Sequence, residues 1–382
     1  MAFAAVKHPV VDADAHVNPS HDMWADYLPS SLKGLAPRVE HGDDCDYVVF
    51  EGNRRKLNLI SAQAGREGKD FKMHGRVSDA RAGGWMPKAR LQDMDEDGID
   101  IALLFGGGPL GTTNQELYLE SFGAYNRWLA DFCSHEPSRF AGVGYIPMHD
   151  IDAAIACMRE CAALGHKTVN IPAFPMNRMA SLNGGEAQAL ALTGDANSER
   201  SYADPEFDPV WKAACELGLP LTIHLGGRMV RFNDQKWFLS DLVMSKFSMA
   251  EPIAIMIYGG VFQRFPDLKL VSVESGVGWF AFAANYMDET WAKQRYWMNS
   301  PLERAPSFFW EQNIYGSFIH DRPGILMRDL PGARNIMWSS DYPHSETTYP
   351  HSREAIMRLF EGVPEEDKAM IIGGRAKALF SL

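Results

Sequence analysis

The sequence is poor in the features that mark secreted and membrane proteins. It has five cysteines in 382 residues and no CxxC pair. This excludes the disulfide framework of small secreted domains and predicts a reducing compartment, with the cysteines as small core residues. No apolar stretch reaches the ~18 residues that a membrane helix needs, and the longest, near Ile253 to Phe262, is interrupted by glycines. The apolar stretch at the N-terminus is too short for a signal peptide.

The chain also lacks an excess of positive charge. Its net charge is −12 and no basic stripe is present, which argues against a nucleic-acid partner and against binding to an anionic membrane surface. Hydrophobic residues make up 46% of the chain, so a large core can form. We therefore expect a soluble cytoplasmic protein whose partner is a small-molecule substrate.

What the sequence does contain is a regular alternation of short apolar runs and helical patterns. Near-continuous apolar strands separated by helices predict a parallel sheet covered on both faces, and eight such units predict an α/β protein with a (β/α)₈ barrel in a single domain, residues 1–382. The eight runs are Val10–His16, Ile99–Phe105, Ala141–Pro147, Lys167–Pro172, Leu219–His224, Leu268–Glu274, Asn313–Ile319 and Asn335–Asp341.

A barrel of this type needs ~250 residues, so roughly 130 residues must lie in insertions. A β-hairpin is predicted from Asp46 to Ile60, with its turn at Gly52-Asn53. Two longer loops are predicted, Phe174 to Ala203 after strand four and Arg228 to Ser248 after strand five. All three follow strands and therefore lie on the face where barrel active sites form.

Polar side chains stand at the carboxyl ends of three predicted strands. Asp14 and His16 are two residues apart on strand one and would point to the same side, His224 ends strand five and Asp341 ends strand eight. These strand ends converge at one mouth of a barrel. Two carboxylates and two neutral imidazoles suit one divalent cation, with Zn²⁺ as the first expectation and Mn²⁺ or Fe²⁺ as alternatives.

Several longer motifs extend this pattern over nearly the whole chain. They are Asp12-Ala13-Asp14-Ala15-His16, Leu91-Gln92-Asp93-Met94-Asp95-Glu96-Asp97-Gly98-Ile99-Asp100, His224-Leu225-Gly226-Gly227, Phe265-Pro266-Asp267-Leu268-Lys269 and Trp338-Ser339-Ser340-Asp341-Tyr342-Pro343-His344. With these motifs the chain resembles the amidohydrolase superfamily. The branch it resembles most, commonly called amidohydrolase-2, contains aminocarboxymuconate semialdehyde decarboxylase and the dihydroxybenzoate decarboxylases.

The resemblance implies that Asp14, His16, His224 and Asp341 are the metal ligands. One position departs from the family pattern. After strand six, many decarboxylases of this branch carry a catalytic histidine, and here Glu274 stands at that position. An ionised glutamate could accept a proton from water, so the departure favours hydrolysis over decarboxylation.

Three further residues are candidates at the mouth. Arg228 could clamp a substrate carboxylate, or it could be a surface residue paired with a nearby aspartate. His320, after strand seven, could be an acid–base group or an exposed residue that precedes a helix. His344 could orient Asp341 from behind the ligand sphere, or it could make only a local hydrogen bond.

Trp85 and Trp279 are candidates for lining an aromatic or apolar substrate pocket, because both lie near loops at the mouth. The alternative is that they are core residues, which is the commoner position for tryptophan.

From these residues we expect a mononuclear metal-dependent hydrolase of a small aromatic or cyclic organic substrate. In this hydrolase Asp341 or Glu274 would take the proton from water activated by the cation. The alternative is a metal-dependent, non-oxidative decarboxylase of an aromatic or unsaturated carboxylic acid. A third hypothesis is a barrel that binds ligands without catalysis. A homodimer is expected by family analogy only.

Overall fold

Each of the eight apolar runs predicted from the sequence overlaps a strand of the computed structural model. The model describes residues 6–20, 23–176, 187, 190–191, 193–224 and 236–382. The strands are β1 (Val11–Val17), β2 (Arg38–His41), β3 (Asp46–Phe50), β4 (Asn53–Lys56), β5 (Ile101–Gly106), β6 (Phe140–Tyr145), β7 (Thr168–Asn170), β8 (Leu221–His224), β9 (Leu270–Val273), β10 (Ile314–Phe318) and β11 (Ile336–Trp338).

Eight of these strands form one parallel sheet in the order β1-β5-β6-β7-β8-β9-β10-β11. Its two edges meet just beyond β11, where the amide of Asp341 donates to the carbonyl of Asp14 (2.9 Å) and the amide of His16 donates to the carbonyl of Tyr342 (2.5 Å). The sheet therefore forms a (β/α)₈ barrel, which confirms the predicted fold class. The division of the chain into a single domain stays a prediction.

Helices follow the barrel strands and cover the outside of the barrel. They are α1 (Met23–Tyr27), α2 (Pro87–Asp97), α3 (Gln115–Cys133), α4 (Ile151–Ala163), α5 (Asp208–Leu217), α6 (Phe238–Ser248), α7 (Ala250–Tyr258), α8 (Val261–Arg264), α9 (Phe280–Gln294), α10 (Pro306–Asn313), α11 (Arg322–Leu326), α12 (Ser352–Leu359), α13 (Glu365–Ala369) and α14 (Arg375–Phe380). Among the described residues, no helix is both long and apolar enough to cross a bilayer.

The barrel interior is filled by side chains, as in other barrels of this type. Val11 of β1 and Phe105 of β5 belong to an interior apolar cluster, and Ala376 and Phe380 of the C-terminal helix α14 join the same cluster. Because α14 packs into the barrel from the end opposite the carboxyl ends of the strands, only that carboxyl end remains open for a site.

The predicted hairpin is present, but its turn was placed one residue too late. Glu51 and Gly52 form the turn, with φ values of 48° and 75°, and Asn53 already pairs with Phe50. Two successive left-handed residues are the requirement of a type I′ hairpin turn. A third strand, β2, extends the hairpin to a three-stranded antiparallel sheet and was not predicted.

The insertion predicted as a loop from Arg228 to Ser248 contains a helix in its second half, α6. Residues 225–235, which include the candidate Arg228, lie outside the described residues.

Candidate metal centre

The four predicted ligands lie together at the carboxyl end of the barrel, and we call them the mouth cluster: Asp14, His16, His224 and Asp341. The Nε2 atom of His16 lies 3.3 Å from Asp14 Oδ1 and 3.2 Å from Asp341 Oδ1. The Nε2 atom of His224 lies 3.2 Å from Asp14 Oδ1 and 3.2 Å from His16 Nε2. One donor atom from each of Asp14, His16, His224 and Glu274 lies within 4.8 Å of the others, and the same holds for His16, Glu274, Asp341 and His344.

A β-bulge in β1 helps to aim the first two of these side chains. Asp12 pairs with Ala102 and Ala15 pairs with Leu104, so β1 has one residue more than β5 between these pairs. The extra residue reverses the alternation of side chains, and beyond it His16 pairs with the interior residue Phe105. Bulges of this kind often stand beside active sites, where they redirect a side chain.

Two carboxylates at the mouth lie on left-handed backbone. Asp341 has a φ of 57° and Glu274, directly after β9, has a φ of 56°. This conformation costs a residue with a Cβ atom about 1–2 kcal/mol, and it persists because the surrounding strands fix the chain. Non-glycine residues held in this region are frequent at functional sites.

The carboxylates of the mouth have buried oxygens without hydrogen-bond donors. Among the described residues these include Asp14 Oδ2, Glu274 Oε2 and Asp341 Oδ2, whereas Asp341 Oδ1 has the imidazole nitrogens of His16 (3.2 Å) and His344 (2.9 Å) beside it. Buried polar atoms are nearly always paired, so several unpaired oxygens in one place need a further partner. Together with the imidazole nitrogens of His16 and His224, they form a donor set that fits a divalent cation.

The carboxylates of the mouth cluster carry charge although they are buried. Burial alone would raise the pKa of Asp14 and of Asp341, but neighbouring imidazoles lower both pKa values below the usual range. The imidazoles respond in the opposite sense. Burial alone would lower the pKa of His224, but the carboxylate of Asp14 raises it. Burial would also lower the pKa of His344, but the carboxylate of Asp341 raises it to about 9. The centre is thus strongly polar and ionised.

Glu274 lies beside the mouth cluster. One of its carboxylate oxygens is bound by a lysine that the sequence motifs did not predict. Its Oε1 accepts a hydrogen bond from Lys246 Nζ (2.6 Å), and Lys246 also lies 3.4 Å from Glu346 Oε2. Burial alone would lower the pKa of Lys246, but the carboxylates of Glu274 and Glu346 raise it. Lys246 comes from helix α6 rather than from a strand end, so no strand-end pattern could reveal it.

His344 lies where the sequence placed it. Its Nδ1 atom is 2.9 Å from Asp341 Oδ1, and its ring stacks on that of His16 with centroids 3.9 Å apart. The contact would allow His344 to orient Asp341, and this role stays a prediction.

The other candidates have different surroundings. Trp85 is half-buried at the end of a turn whose Gly84 carbonyl accepts from the amide of Asn18, directly after β1. This turn therefore lies beside the mouth.

Trp279 and His320 do not contact the mouth cluster in any described hydrogen bond, ion pair or ring contact. The ring of Trp279 packs on Phe280 and Trp310, and its indole nitrogen donates to the carbonyl of Ser275, which are the contacts of a core residue. His320 is exposed and lines a separate cavity with Arg358.

A second buried polar cluster, which we call the clamp cluster, comprises Arg81, Asp93, Tyr342 and Tyr349. Both oxygens of Asp93 accept from Arg81 (2.6 and 3.0 Å), and the hydroxyls of Tyr342 and Tyr349 also donate to Asp93. Because Tyr342 follows Asp341 directly, this cluster fixes the segment that carries Asp341.

The arrangement is suited to a definite type of chemistry. Ionised carboxylates and imidazoles around one cation could bind a small substrate through its oxygen atoms, and an acid–base group such as Asp341 would stand next to the reacting carbon or oxygen.

Comparison with curated proteins gives relatives at low identity over most of the chain. The 2-amino-3-carboxymuconate-6-semialdehyde decarboxylase of Dictyostelium discoideum is 24% identical over 310 residues, which are 78% of this chain and 77% of the relative. The gamma-resorcylate decarboxylase of Rhodococcus jostii is 23% identical over 308 residues, which are 77% of this chain and 87% of the relative.

Comparison with solved structures shows the same fold over the full length. An amidohydrolase from Mycobacterium avium subsp. paratuberculosis aligns with a TM-score of 0.76 at 20% identity, covering 99% of both chains. A dihydroxybenzoic acid decarboxylase from Polaromonas, solved with bound manganese and the inhibitor 2-nitroresorcinol, aligns with a TM-score of 0.66 at 18% identity, covering 98% of this chain and 97% of that one.

The family model Amidohydro_2, described as amidohydrolase, matches residues 11–382. The match includes all eight barrel strands and every residue of the mouth cluster. The resemblance inferred from the sequence motifs is thereby confirmed, and the chain belongs to the amidohydrolase family defined by this model.

Proposed function

We propose that the protein is a metal-dependent decarboxylase that releases CO₂ from a small aromatic carboxylic acid without oxidation. The observation that carries this proposal is the mouth cluster, in which ionised carboxylates with unpaired oxygens converge with two imidazoles. The relatives that cover about three quarters of the chain are decarboxylases, which supports this reaction over the hydrolysis expected first.

Hydrolysis was favoured because a free Glu274 carboxylate could accept a proton from water. Its Oε1 is bound to Lys246 at 2.6 Å, and its Oε2 is buried. A carboxylate held in this way is poorly suited to take a proton from a mobile water molecule. The presence of glutamate instead of histidine at this position therefore does not require a hydrolase.

Asp14, His16, His224 and Asp341 would hold one divalent cation. Manganese is the first candidate, because a decarboxylase of the same fold binds it and because carboxylate oxygens suit it. When bound, the cation would orient the oxygen atoms of the substrate and stabilise negative charge that develops on them.

Asp341 is the residue that would deliver the proton. Decarboxylation of an aromatic acid adds a proton to the ring carbon that carries the carboxylate, after which the carbon–carbon bond breaks, its electron pair returns to the ring and CO₂ leaves. His344 lies 2.9 Å from Asp341, and the carboxylate of Asp341 raises the pKa of this imidazole, which favours its protonated form. His344 can therefore transfer a proton to Asp341, and Asp341 then transfers it to the ring carbon.

The substrate would lie against aromatic surfaces at the mouth. The half-buried Trp85 is carried by a turn beside the end of β1, and the imidazole of His344 stacks on that of His16 at the mouth. A planar aromatic acid fits between such groups. Arg228, outside the described residues, stays a prediction as a carboxylate-binding residue.

The proposal is tested by a substrate screen with two panels. The Mn²⁺-loaded protein is incubated with hydroxylated and methoxylated benzoic acids and with unsaturated carboxylic acids, and CO₂ release is measured. A second panel contains lactones, esters and amides. We expect CO₂ from at least one acid and none from Asp341→Asn. Hydrolysis in the second panel, with no CO₂ from the first, would contradict the proposal and restore the hydrolase hypothesis.

A further inference from the structure

The two carboxylate oxygens of Glu274 have different surroundings, and one of them is bound by a lysine. Oε1 accepts a hydrogen bond from Lys246 at 2.6 Å, while Oε2 is buried without a donor and lies 3.7 Å from Nε2 of His224. The side chain is only 3% exposed, so solvent does not solvate the free oxygen. One end of the carboxylate is thus fixed and the other end faces the mouth cluster.

We propose that Glu274 is a fifth donor to the cation of the mouth cluster, through Oε2, and that Lys246 positions it by holding Oε1. This inference rests on the metal centre of the proposed function. Glu274 can be grouped with Asp14, His16 and His224 so that one donor atom from each lies within 4.8 Å of the others, and it can be grouped in the same way with His16, Asp341 and His344. Glu274 is therefore within reach of the ion that both groups would share.

The alternative that Glu274 serves only as the ion-pair partner of Lys246 leaves two observations unexplained. Lys246 already has a second carboxylate, Glu346, at 3.4 Å, and that partner lies on the more exposed side. A partner for Lys246 would also not need a buried free oxygen that faces two imidazole-bearing strands. A donor role accounts for both, because the free oxygen then has a ligand.

The charges support the same assignment. Asp14, Asp341 and Glu274 bring three carboxylates to the site, and one divalent cation together with the ammonium group of Lys246 offsets their charge. Carboxylates cost less to bury when positive charge is paired with them.

The donor set has a consequence for the choice of metal. Two carboxylates and two imidazoles suit the four-coordinate geometry that Zn²⁺ prefers, whereas a third carboxylate adds an oxygen and a fifth donor. Carboxylate-rich sites suit Mn²⁺. Glu274 is therefore expected to shift the preference of the centre from Zn²⁺ towards Mn²⁺.

The experiment measures metal affinity rather than turnover. Mn²⁺ binding to the full-length protein is followed by the electron paramagnetic resonance signal of the free ion, and Zn²⁺ binding by competition with a chromogenic chelator. Glu274→Gln keeps the shape of the side chain and removes the charge. Glu346→Gln is the matched control, because it removes a carboxylate from the same lysine without removing a donor.

We expect Glu274→Gln to raise the Kd for Mn²⁺ by at least about 100-fold and the Kd for Zn²⁺ by less, and Lys246→Met to raise the Kd for Mn²⁺ by about 10-fold, the order usual for a residue that orients a ligand. Lys246→Arg should restore most of the affinity, and Glu346→Gln should change it less than threefold. The visible absorption of the Co²⁺-loaded protein should change in Glu274→Gln, because the number of donors falls.

The proposal is overturned if Glu274→Gln binds both ions as the wild type does, or loses affinity only as much as Glu346→Gln. If Glu274→Gln does not fold, unchanged Mn²⁺ affinity in Lys246→Met overturns the proposal instead. These outcomes are separable from the proposed function: CO₂ release with unchanged metal affinity in Glu274→Gln would reject the fifth donor alone, and a fifth donor without CO₂ release would reject the reaction alone.

Discussion

The mouth cluster and the clamp cluster are both buried and polar, and they meet at the adjacent residues Asp341 and Tyr342. They differ in how far the oxygens of their carboxylates are hydrogen-bonded. In the clamp cluster both oxygens of Asp93 accept hydrogen bonds from Arg81 and from tyrosine hydroxyls. In the mouth cluster Oδ2 of Asp341 is buried without a donor, and Oδ1 has imidazole nitrogens of His16 and His344 beside it. The difference separates a carboxylate that stabilises the fold from one that is kept available for a ligand.

The clamp cluster also fixes the position of one residue of the mouth cluster, Asp341. Tyr342 is bonded to Asp93, and Tyr349 is bonded to Glu96 at 2.5 Å, so the chain from Tyr342 to Tyr349 is attached to helix α2 at two points. Asp341 cannot turn away to find solvent, because the residue that follows it is fixed. The hydrogen bonds of the clamp cluster thus keep Asp341 in place in the mouth cluster.

The largest effect is expected from a change in the mouth cluster. Asp341→Asn removes the proton-transfer group and one metal ligand, so kcat should fall by at least about 10³-fold. The measurement is CO₂ release by the Mn²⁺-treated variant, with far-UV circular dichroism as the control for folding. A folded Asp341→Asn variant with more than a tenth of wild-type activity would show that Asp341 is not the proton donor.

A metal should stabilise the mouth cluster and leave the clamp cluster unaffected. An ion that binds only the folded state adds about 2.7 kcal/mol to the free energy of unfolding at a concentration of 100 times its Kd. Urea denaturation with and without Mn²⁺ should show this gain in the wild type and in Asp93→Asn, but not in His16→Ala. An equal gain in His16→Ala would indicate that the ion binds elsewhere.

The clamp cluster should matter for stability rather than for metal binding. Asp93→Asn leaves the guanidinium of Arg81 without its charged partner, and because the Arg81 side chain is 35% exposed we expect a modest loss of about 2 kcal/mol in the free energy of unfolding. Asp95→Asn, on the same helix but with a side chain that is 67% exposed, is the matched control and should change stability by less than about 0.5 kcal/mol. Equal losses in the two variants would contradict the distinction.

The smallest effect is expected in the pH dependence of the stability that Asp93→Asn loses. Burial alone would raise the pKa of Asp93, but Arg81 and Tyr342 lower it below the ordinary value of 3.8. A carboxyl with a lowered pKa in the folded state contributes stability that is present above 3.8 and is lost as the pH falls through the lowered value. The difference in unfolding free energy between wild type and Asp93→Asn should therefore shrink as the pH falls from about 5 to below 3.8. A difference that stays constant over this range would show that the ionisation of Asp93 does not contribute.

The barrel could be predicted because its strands are buried on both faces and therefore read as continuous apolar runs. The same rule failed where a strand is exposed. Strand β2, Arg38–His41, has the sequence Arg-Val-Glu-His and is mostly polar, so it gave no apolar run. The hairpin turn was misplaced because Gly52-Asn53 is a good turn pair by composition, whereas the register of β3 and β4 requires left-handed backbone at Glu51 and Gly52.

The positions of the mouth cluster could be predicted because strand ends converge in any parallel barrel, whatever the loops do. Lys246 could not be predicted, because it reaches Glu274 from helix α6, and the position of an inserted helix depends on packing that strand periodicity does not describe. The bulge in β1 also escaped the prediction. Simple alternation of side chains along β1 correctly places Asp14 and His16 on the same side, but it would also place Asp12 there. The bulge instead pairs Asp12 with Ala102, whose side chain faces outward.

The account depends most on the claim that the free oxygens of the mouth cluster belong to one cation. Anomalous diffraction at the manganese absorption edge, from crystals of the Mn²⁺-loaded protein, tests it directly. We predict one strong anomalous peak per chain, in contact with Asp14, His16, His224 and Asp341. No peak at the mouth, or a peak bound only by residues outside this cluster, would contradict the claim.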